Sequence, residues 1–432
     1  MRSYRASHNL IAASANNAET AINTEQTLDT SLLAGMGDIF NLEPRRESNV
    51  EELTGKEEAD NIYDLGGLCS GSLSFEKAQP QHFALLMAYG LGSISSVVAG
   101  AGYEHTITPI SNDLDAYRSN PSMTVAQRFG KTVLKRRFAS MFVDSFTASF
   151  AKDSWCKITG QLKGTGKAAD NITEEVIAVT PGTDPFLIDT ALTLASNAVE
   201  GSTAQTRLDN VQRVRVELTP GVWTDVAHTA VSDTTPAVIT IESLSGNSTD
   251  SVNFEVLYIP TESGWMTFPS RITETPLRVS ALAVKQGGAW DGSDFAGGRT
   301  LSSELSSIDW NFSNGFELDF TPGAGGTYAS RAFRPARTQT LSVNREFRDY
   351  IWQQHIDDND DFGVHLLAEG AAIDGSHNYQ VELIFPKVAI LNAPLAVDGK
   401  KLAEAGDFVV LEDDTYGSVI AKVKNLQATY AA

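Results

Sequence analysis

The chain has 432 residues, 42% of them hydrophobic, and a formal net charge of −21. This length and apolar content predict a folded protein of two or three domains. The sequence contains no run of about 18 apolar residues, so we expect no membrane-spanning helix. The acidity argues against gripping nucleic acid through clustered lysines and arginines. It suits either plain solubility or a surface along which nucleic acid passes without adhering. Two cysteines, Cys69 and Cys156, make no disulfide framework and fit a reducing cytoplasm.

The N-terminal region predicts an arm and then a charged loop. Residues 1–26 are polar, alanine-rich and at most weakly helical, so we expect a short arm rather than a signal peptide. Residues 43–60 carry seven acidic and three basic side chains and no large apolar cluster. This composition indicates either a long exposed hairpin loop with a function or a disordered surface loop.

Residues 70–92 predict a strand followed by a short helix. Leu73 and Phe75 alternate with polar residues, as in a half-buried strand, and Pro80 is tolerated in the first turn of a helix. We expect the helix to be amphipathic and to end at Gly90-Leu91-Gly92. Because a helix this short is marginal on its own, it must pack on a sheet. Its apolar face contains Phe83, Leu86 and Met87.

Further strands follow at 103–110, 137–150 and 154–164, the last two as an antiparallel hairpin around Lys152-Asp153. Between 165 and 205, VIAVT predicts a strand and LIDTALTLASNAV a short helix. Alternating segments between 211 and 258, separated by turn residues, predict a small sandwich or an elaborated sheet.

A second unit begins after Pro260. Alternating patterns predict strands in 306–320, 336–344, 362–370, 378–391 and 406–426. The segment 345–356 predicts an amphipathic helix, with apolar positions at Phe347, Tyr350, Ile351 and Ile356.

The runs GSLSFEKAQPQHFALLMAYGLG and QTLSVNREFRDYIWQQHIDD share a plan. Each has an alternating strand that ends in Leu-Ser and an apolar residue, then a connector and a helix, and a β-rich span follows. The expected fold is therefore α+β and mainly β, with two related units that are twisted antiparallel sheets carrying one short helix each. The domains are an N-terminal arm (1–26), a first unit (27–164), a β-rich insertion (165–262) and a second unit (263–432).

Little in the sequence indicates catalysis. The histidines lack metal-binding spacing, and no nucleophile motif or paired acid and base is present, so we expect no enzyme and no cofactor. The best metal candidate is the acidic cluster Asp357, Asp358, Asp360 and Asp361. It lacks the ligand spacing of a calcium loop, and a solvated helix end or an acidic patch facing a channel explains it as well.

Parts of the chain resemble the major tail tube proteins of long-tailed (siphovirus-type) bacteriophages. The resemblance lies in LGGLCSGSLSFE…HFALLMAYGLG, in YEHTITP at 103–109, and in the closing stretch FPKVAILNAPLAVDGKKLAEAGDFVVLEDDTYGSVIAKVKN. It covers about two thirds of the chain and leaves 165–262 without a counterpart.

The resemblance implies a virion structural protein that self-assembles into stacked rings. Such rings form a hollow tail tube through which DNA reaches the host without specific binding. Other tail proteins (tape measure, terminator and distal tail) would be partners, and assembly would take place in the bacterial cytoplasm, with no membrane. Because the chain contains two units, we expect three chains per pseudo-hexameric ring, although six chains stay open. The insertion is expected on the outer surface.

Specific residues are expected to serve this assembly. The helices, through Phe83, Leu86, Met87, Phe347, Tyr350 and Ile351, should pack on the outer face of the sheets. The charged loop should reach the next ring through Arg45, Arg46, Glu51, Glu52, Lys56, Glu57 and Glu58. Candidate acids of the lumen, chosen because they alternate on strands, are Asp144, Glu317 and Asp319.

Two other functions fit the sequence. One is a different virion structural protein, from the baseplate or the capsid decoration. The other is a carbohydrate-binding β protein, because exposed tryptophans stack on sugars; Trp223, Trp265, Trp290 and Trp310 are the candidates, with core packing as the alternative.

Overall fold

The computed structural model describes residues 5–53, 55–111, 118–130, 133–261, 264–322 and 326–432. Strands make up 51% of the chain and helices 8%, and the sheets are antiparallel, which confirms the prediction of an α+β, mainly β fold. The chain divides into two compact units. The smaller unit contains 1–10, 128–136 and 169–268, and the larger unit contains 11–127, 137–168 and 269–432.

The N-terminal part of the chain contains ten strands and a helix among the described residues. In order they are β1 (Leu10–Ala13), β2 (Thr30–Leu32), β3 (Phe40–Ser48), β4 (Ile62–Phe75), α1 (Pro80–Leu91), β5 (Gly92–Ala99), β6 (Gly102–Pro109), β7 (Met123–Arg128), β8 (Lys135–Ala151), β9 (Lys157–Gly164) and β10 (Ala168–Asp170).

The described part of the central segment contains β11 (Thr173–Val179), β12 (Ala191–Thr193), α2 (Ala204–Asn210), β13 (Val211–Thr219), β14 (Val222–Asp225), β15 (His228–Val231), β16 (Val238–Ile241) and β17 (Val252–Tyr258).

Within the described residues, the C-terminal part contains β18 (Leu282–Trp290), β19 (Phe295–Thr300), β20 (Leu305–Ser313), β21 (Glu317–Asp319), β22 (Arg331–Phe333), β23 (Thr338–Glu346), α3 (Ile351–Asp358), β24 (Phe362–Ala372), β25 (Asn378–Asn392), β26 (Leu395–Asp398), β27 (Lys401–Val410) and β28 (Ile420–Asn425).

Two antiparallel runs of strands build the larger unit. The first ladder has the order β3-β4-β9-β8-β20-β23-β27-β26. The second ladder has the order β5-β6-β28-β25-β24-β18-β19, and the end of β25 also pairs with β27. Strands from the two predicted units are neighbours in both ladders, at β8·β20 and at β6·β28, and one hydrophobic core contains residues of both.

Helix α1 lies between the two ladders. It contacts β5, β6 and β28 of the second ladder, and on the other side Phe83 stacks on Phe150 of β8, with ring centroids 6.0 Å apart. Every residue of the helix is buried, so the prediction that the helix is amphipathic was wrong. Phe83, Leu86 and Met87 are core residues, as predicted, but the opposite face of the helix is covered as well.

The buried polar start of α1 is satisfied by hydrogen bonds. Glu274 Oε2 accepts the backbone N–H of Gln81 at 3.0 Å, and His82 Nδ1 accepts the backbone N–H of Gln79 at 3.1 Å. The His82 ring also stacks on Phe75 at 4.0 Å. Burial lowers the pKa of His82 to about 3, so this histidine is a neutral core residue. The C-terminus is Gly92 at φ 96°, a left-handed conformation that suits glycine.

Helix α3 differs from its prediction. It begins at Ile351 rather than 345, because β23 continues to Glu346 and keeps Arg345 opposite Glu404 of β27. Trp352 anchors the helix: its indole N–H donates to Gln286 Oε1 at 2.8 Å, and the side chain is fully buried. The helix-packing predictions for Tyr350 and Ile351 were wrong, since these side chains are 71% and 36% exposed. Phe347 is half-buried before the helix, in edge contact with Tyr350.

The smaller unit contains a sandwich with its own core. One sheet has the order β11-β17-β13-β14 and the other β12-β16-β15, and their inner faces share one hydrophobic cluster. The helix expected in 187–199 is absent from this fully described stretch, where turns surround β12; α2 comes later. Leu187 and Leu192 fill the core from this stretch, so its apolar residues serve sheet packing instead of a helical face.

The N-terminal residues are not a free arm over their described part. Strand β1 pairs with β2, and the backbone of Ala15 and Asn16 accepts N–H groups of the C-terminal Ala431 and Ala432. Glu19 is buried and accepts hydrogen bonds from the hydroxyl groups of Ser122 and Thr124. These contacts explain why the segment is extended and ordered in spite of its polar composition.

Candidate self-assembly surface

The first ladder ends in two unlike edges. Strand β3 lies at one end, where its pairing is with β4, and β26 lies at the other, paired with β27. Every residue of β26 is exposed, and in β3 every residue after Phe40 is exposed. An edge strand offers unpaired backbone donors and acceptors to another chain, so these edges are candidate assembly surfaces.

The hairpin of β3 and β4 is fixed at its base. Gly67 donates its backbone N–H to Thr327 O at 2.9 Å. Gly66 has φ 92°, and a Cβ added to it would clash with the Thr327 carbonyl. The Arg45 guanidinium lies 4.9 Å from the centroid of the Phe320 ring. Beyond this base the hairpin continues to the pair of Ser48 and Ile62, so residues 43–48 of the predicted exposed hairpin are in a paired strand and the described residues of 49–60 form its connecting loop.

The hairpin tip is held by one buried polar side chain. Asn49 donates to Asp60 Oδ1 at 2.7 Å, and its own Oδ1 accepts the backbone N–H groups of Asp60 and Asn61 at 3.1 Å. These bonds and the ion pair with Lys56 lower the pKa of Asp60. These bonds join the two ends of the tip, Asn49 on one side and Asp60 and Asn61 on the other.

The predicted inter-ring side chains all project into solvent on this hairpin: Arg45, Arg46, Glu51, Glu52, Lys56, Glu57 and Glu58 are exposed. Glu52 accepts a hydrogen bond from the Tyr63 hydroxyl at 2.7 Å, which raises the pKa of Tyr63. The structure brings these charges together on one projecting element, which can form ion pairs with a complementary surface.

One face of the first ladder is lined by small polar side chains. The other face packs on the core through residues such as Leu73, Phe146, Trp310 and Leu341. The residues between them point away from the core and are half-buried or exposed: Ser70, Ser72, Ser74, Ser145, Thr147, Ser149, Thr159, Ser307, Asn311, Ser313, Thr340 and Ser342. We call this the hydroxyl face. Asp309 and Asp407 add carboxylates to it.

The three candidate lumen acids do not lie together on one face of the first ladder. The register of β8 against β9 shifts between Val143 and Ser145, so Asp144 has no opposite residue. Its carboxylate accepts the backbone N–H of Phe316 at 2.7 Å and pairs with Lys163 at 3.1 Å. Asp144 is thus a half-buried, paired group. Glu317 and Asp319 are exposed on β21, which pairs with β22 in a separate two-stranded sheet.

The acidic cluster of Asp357, Asp358, Asp360 and Asp361 lies at the C-terminal end of α3. Asn359 closes the helix in the left-handed conformation, and Asp358 accepts a hydrogen bond from Gln354 at 2.9 Å. Asp360 pairs with His355 at 2.6 Å and Asp361 with Lys387 at 3.1 Å, while Asp357 is exposed. Across the described residues, no group of three histidine, cysteine, aspartate or glutamate side chains could hold a metal ion.

The tryptophans give little support to sugar binding. Trp310 and Trp290 belong to hydrophobic clusters, and the guanidinium of Arg215 covers Trp223 at 4.8 Å from the ring centroid. Trp265 is half-buried.

Sequence reasoning missed the apolar side chains at the ladder edges. Leu391, at the end of β25, is 66% exposed, and Ile39, before β3, is 43% exposed. In the sequence both look like core residues of ordinary strands. Their only distinguishing signal is position, because both lie at the ends of strands beside loops.

A scan against protein-family models found no match, and a search of curated proteins found none either. Helices long and apolar enough to cross a membrane are absent from the part of the chain that the structure describes. The interpretation of the molecule therefore depends on its own architecture.

Proposed function

We propose that this chain is the subunit of a bacteriophage tail tube, a virion structural protein whose copies join into rings that stack around a DNA passage. The single observation that carries the proposal is the repeated strand order of the first ladder. Its halves, β3-β4-β9-β8 and β20-β23-β27-β26, are two four-strand sets with the same connectivity.

The correspondence between the sets extends beyond strand order. Each set starts with a hairpin, β3·β4 or β20·β23, and a connector of the same length, 76–79 or 347–350, leads to a helix. A second hairpin follows each helix, β5·β6 or β24·β25. Because every pairing along the ladder is antiparallel, β3 and β20 run in the same direction. The sets are therefore arranged head to tail, which supports an internal duplication.

A head-to-tail junction is the kind that repeats between molecules. In the contact β8·β20 the last strand of the first set pairs with the first strand of the second set. The two ends of the ladder are again a first strand, β3, and a last strand, β26. Heterologous contacts that repeat with a closing rotation produce rings, and ring closure removes exposed sheet edges. Three chains supply six sets, which is the stoichiometry we favour.

The surfaces suit the proposed passage and stacking. Two lysines of the hydroxyl face, Lys157 and Lys163, are each paired with a carboxylate, Glu76 and Asp144 respectively. With a net charge of −21 on the chain, DNA would pass without adhering. The charged hairpin projects from the ladder and offers both signs of charge to a neighbouring ring.

Electron microscopy of the purified full-length chain tests the proposal. We expect hollow filaments with regular striations in negative stain. Isolated globular particles across a range of concentrations and salt would contradict a tube and favour another virion structural role.

A further inference from the structure

The charged hairpin and a cleft lie at opposite ends of the first ladder. β3 and β4 pair as far as Ser48 and Ile62, but β4 pairs with β9 only over 69–75, so the hairpin projects beyond the end of β9. β8, β23 and β26 run away from this end and terminate at the opposite one, where Ala151 pairs with Ser307. β4 contains 14 residues, which separate the two ends by about 45 Å. The hairpin therefore cannot reach the opposite end of its own ladder.

That opposite end contains a cleft of about 370 Å³, which we call the receiving cleft. It lies between the turn after β8, the start of β18 and the loop that leads into β20. The apolar side chains of Phe150, Leu282 and Leu305 belong to its lining, together with Lys152 and Glu346. Lys152 is exposed and Phe150 is a core residue, so the cleft has an apolar interior and a charged rim.

Cations outnumber unpaired carboxylates at the rim of the receiving cleft. The hydrogen bond and the charge of Lys401 lower the pKa of Glu346, and the nearby charges of Lys152 and Arg348 lower it further. Across the described residues neither Lys152 nor Arg348 forms an ion pair, and both side chains are exposed. Asp153 adds one exposed carboxylate. The rim therefore attracts an anionic partner.

The hairpin tip, residues 49–61, has the complementary character. It carries five acidic side chains and one lysine. Four of these acids are exposed: Glu51, Glu52, Glu57 and Glu58. Leu53 lies among them and is fully exposed. An acidic element with an exposed leucine matches a cleft that has an apolar interior and a basic rim.

We infer that the hairpin tip of one chain docks in the receiving cleft of a second copy in the next ring, with Leu53 in the cleft and the tip glutamates beside Lys152 and Arg348. The inference rests on the proposed function and specifies the surface that receives the hairpin. Because the two elements lie at opposite ends of one ladder, the contact is heterologous and repeats in one direction, which builds a filament. Docking removes Leu53 from water, and the charges set the orientation of the stacked rings.

Charge reversal in the full-length chain tests the contact. E57K/E58K reverses the tip and K152E/R348E reverses the rim, and all four positions are exposed. Each double variant should raise the concentration for half-maximal filament assembly in sedimentation about tenfold, because like charges then oppose each other across the contact. The combined variant E57K/E58K/K152E/R348E restores opposite charges, so it should assemble like the parent chain.

A matched control separates the contact from net charge. E174K/E242K makes the same change of charge as E57K/E58K at two exposed positions of the smaller unit, and it should leave assembly unchanged.

Cysteine cross-linking locates the contact without changing the charges. Ser303 is exposed and lines the receiving cleft, so mild oxidation of L53C/S303C should produce disulfide-linked multimers in non-reducing electrophoresis. The native Cys69 and Cys156 are buried and do not compete. The control is L53C/S293C, because Ser293 is exposed in the turn at the other end of β18. We expect about tenfold more multimer from L53C/S303C, since docking gives that pair a high effective concentration.

Two results would overturn this contact. One is a combined variant that assembles no better than either double variant, or double variants that assemble like the parent chain. The other is equal cross-linking of the two cysteine pairs. In both cases filaments of the parent chain leave the tube proposal standing, whereas a parent chain that stays monomeric would overturn both proposals.

Discussion

Glu274 gives the larger unit a pH-dependent stability that can be measured. Its side chain is buried and pairs with no lysine, arginine or histidine of the described residues, and its two oxygens accept the backbone N–H groups of Gln81 at 3.0 Å and Leu426 at 2.9 Å. Desolvation by burial raises its pKa to about 7, from 4.5, despite these two hydrogen bonds. The carboxyl therefore connects the start of α1 to the end of β28, and the folded state favours its protonated form.

The sign and size of the effect follow from the shift. Below pH 4.5 the group is protonated in both the folded and the unfolded chain, so its stabilising contribution is complete. Between pH 4.5 and about 7 the folded chain binds more protons, and the free energy of unfolding decreases as the pH rises. A shift of this size corresponds to about 3 kcal/mol, because one pKa unit is worth about 1.4 kcal/mol.

The substitution E274Q removes the titrating group and keeps one acceptor oxygen. It loses one hydrogen bond, worth about 1 kcal/mol, and avoids the burial of a charge. We expect E274Q to be about 2 kcal/mol more stable than the parent chain at pH 8 and about 1 kcal/mol less stable at pH 4.5. Urea unfolding followed by tryptophan fluorescence, on dilute monomer at several pH values, measures both. E317Q, at an exposed position, is the control. An E274Q curve with the same pH slope as the parent chain would refute this reasoning.

Three further predictions concern the core and the hairpin. L86A should lower the free energy of unfolding by about 2–5 kcal/mol, because Leu86 is fully buried, whereas I188A at an exposed loop position should change it by less than about 0.5 kcal/mol in the same urea titration. R345M should cost about 3–5 kcal/mol, since it leaves Glu404 buried without the guanidinium 2.7 Å away, and R345M/E404L should recover most of the loss in thermal unfolding. Replacing residues 50–56 by glycine and serine should leave circular dichroism unchanged and abolish filaments in electron micrographs; unchanged filaments would argue against an inter-ring role for the hairpin.

Local patterns predicted the local elements. The alternation around Leu73 predicts the strand, Pro80 predicts the start of the helix, and the glycines after it predict the end of the helix. All three features are present. The hairpin around Lys152-Asp153 is also present, because its two strands alternate and are adjacent in the chain. The sandwich of the smaller unit was one of the two predicted arrangements, because its strands also alternate and are separated by turn residues.

The errors come from long-range contacts. The amphipathic reading of α1 missed that its polar Gln81 is satisfied inside the core. Its backbone N–H donates to Glu274, and its side-chain amide donates to Gln79 Oε1 and to Ile272 O. The amphipathic pattern of 345–356 placed the start of helix α3 too early, because Arg345 belongs to β23, where Glu404 and the Trp352 ring hold it in the interior. The bulge at Asp144 and the junction β8·β20 depend on strands far apart in the chain, so no local pattern encodes them.

Cryo-electron microscopy of assembled filaments tests the central proposal most directly, through the number of chains per ring and the strands at their boundaries. The account predicts three chains per ring, with one continuous circle of strands in which β26 and the end of β25 of each chain lie beside β3 of the next. Chains that meet through other surfaces, with these edges left exposed, would contradict it.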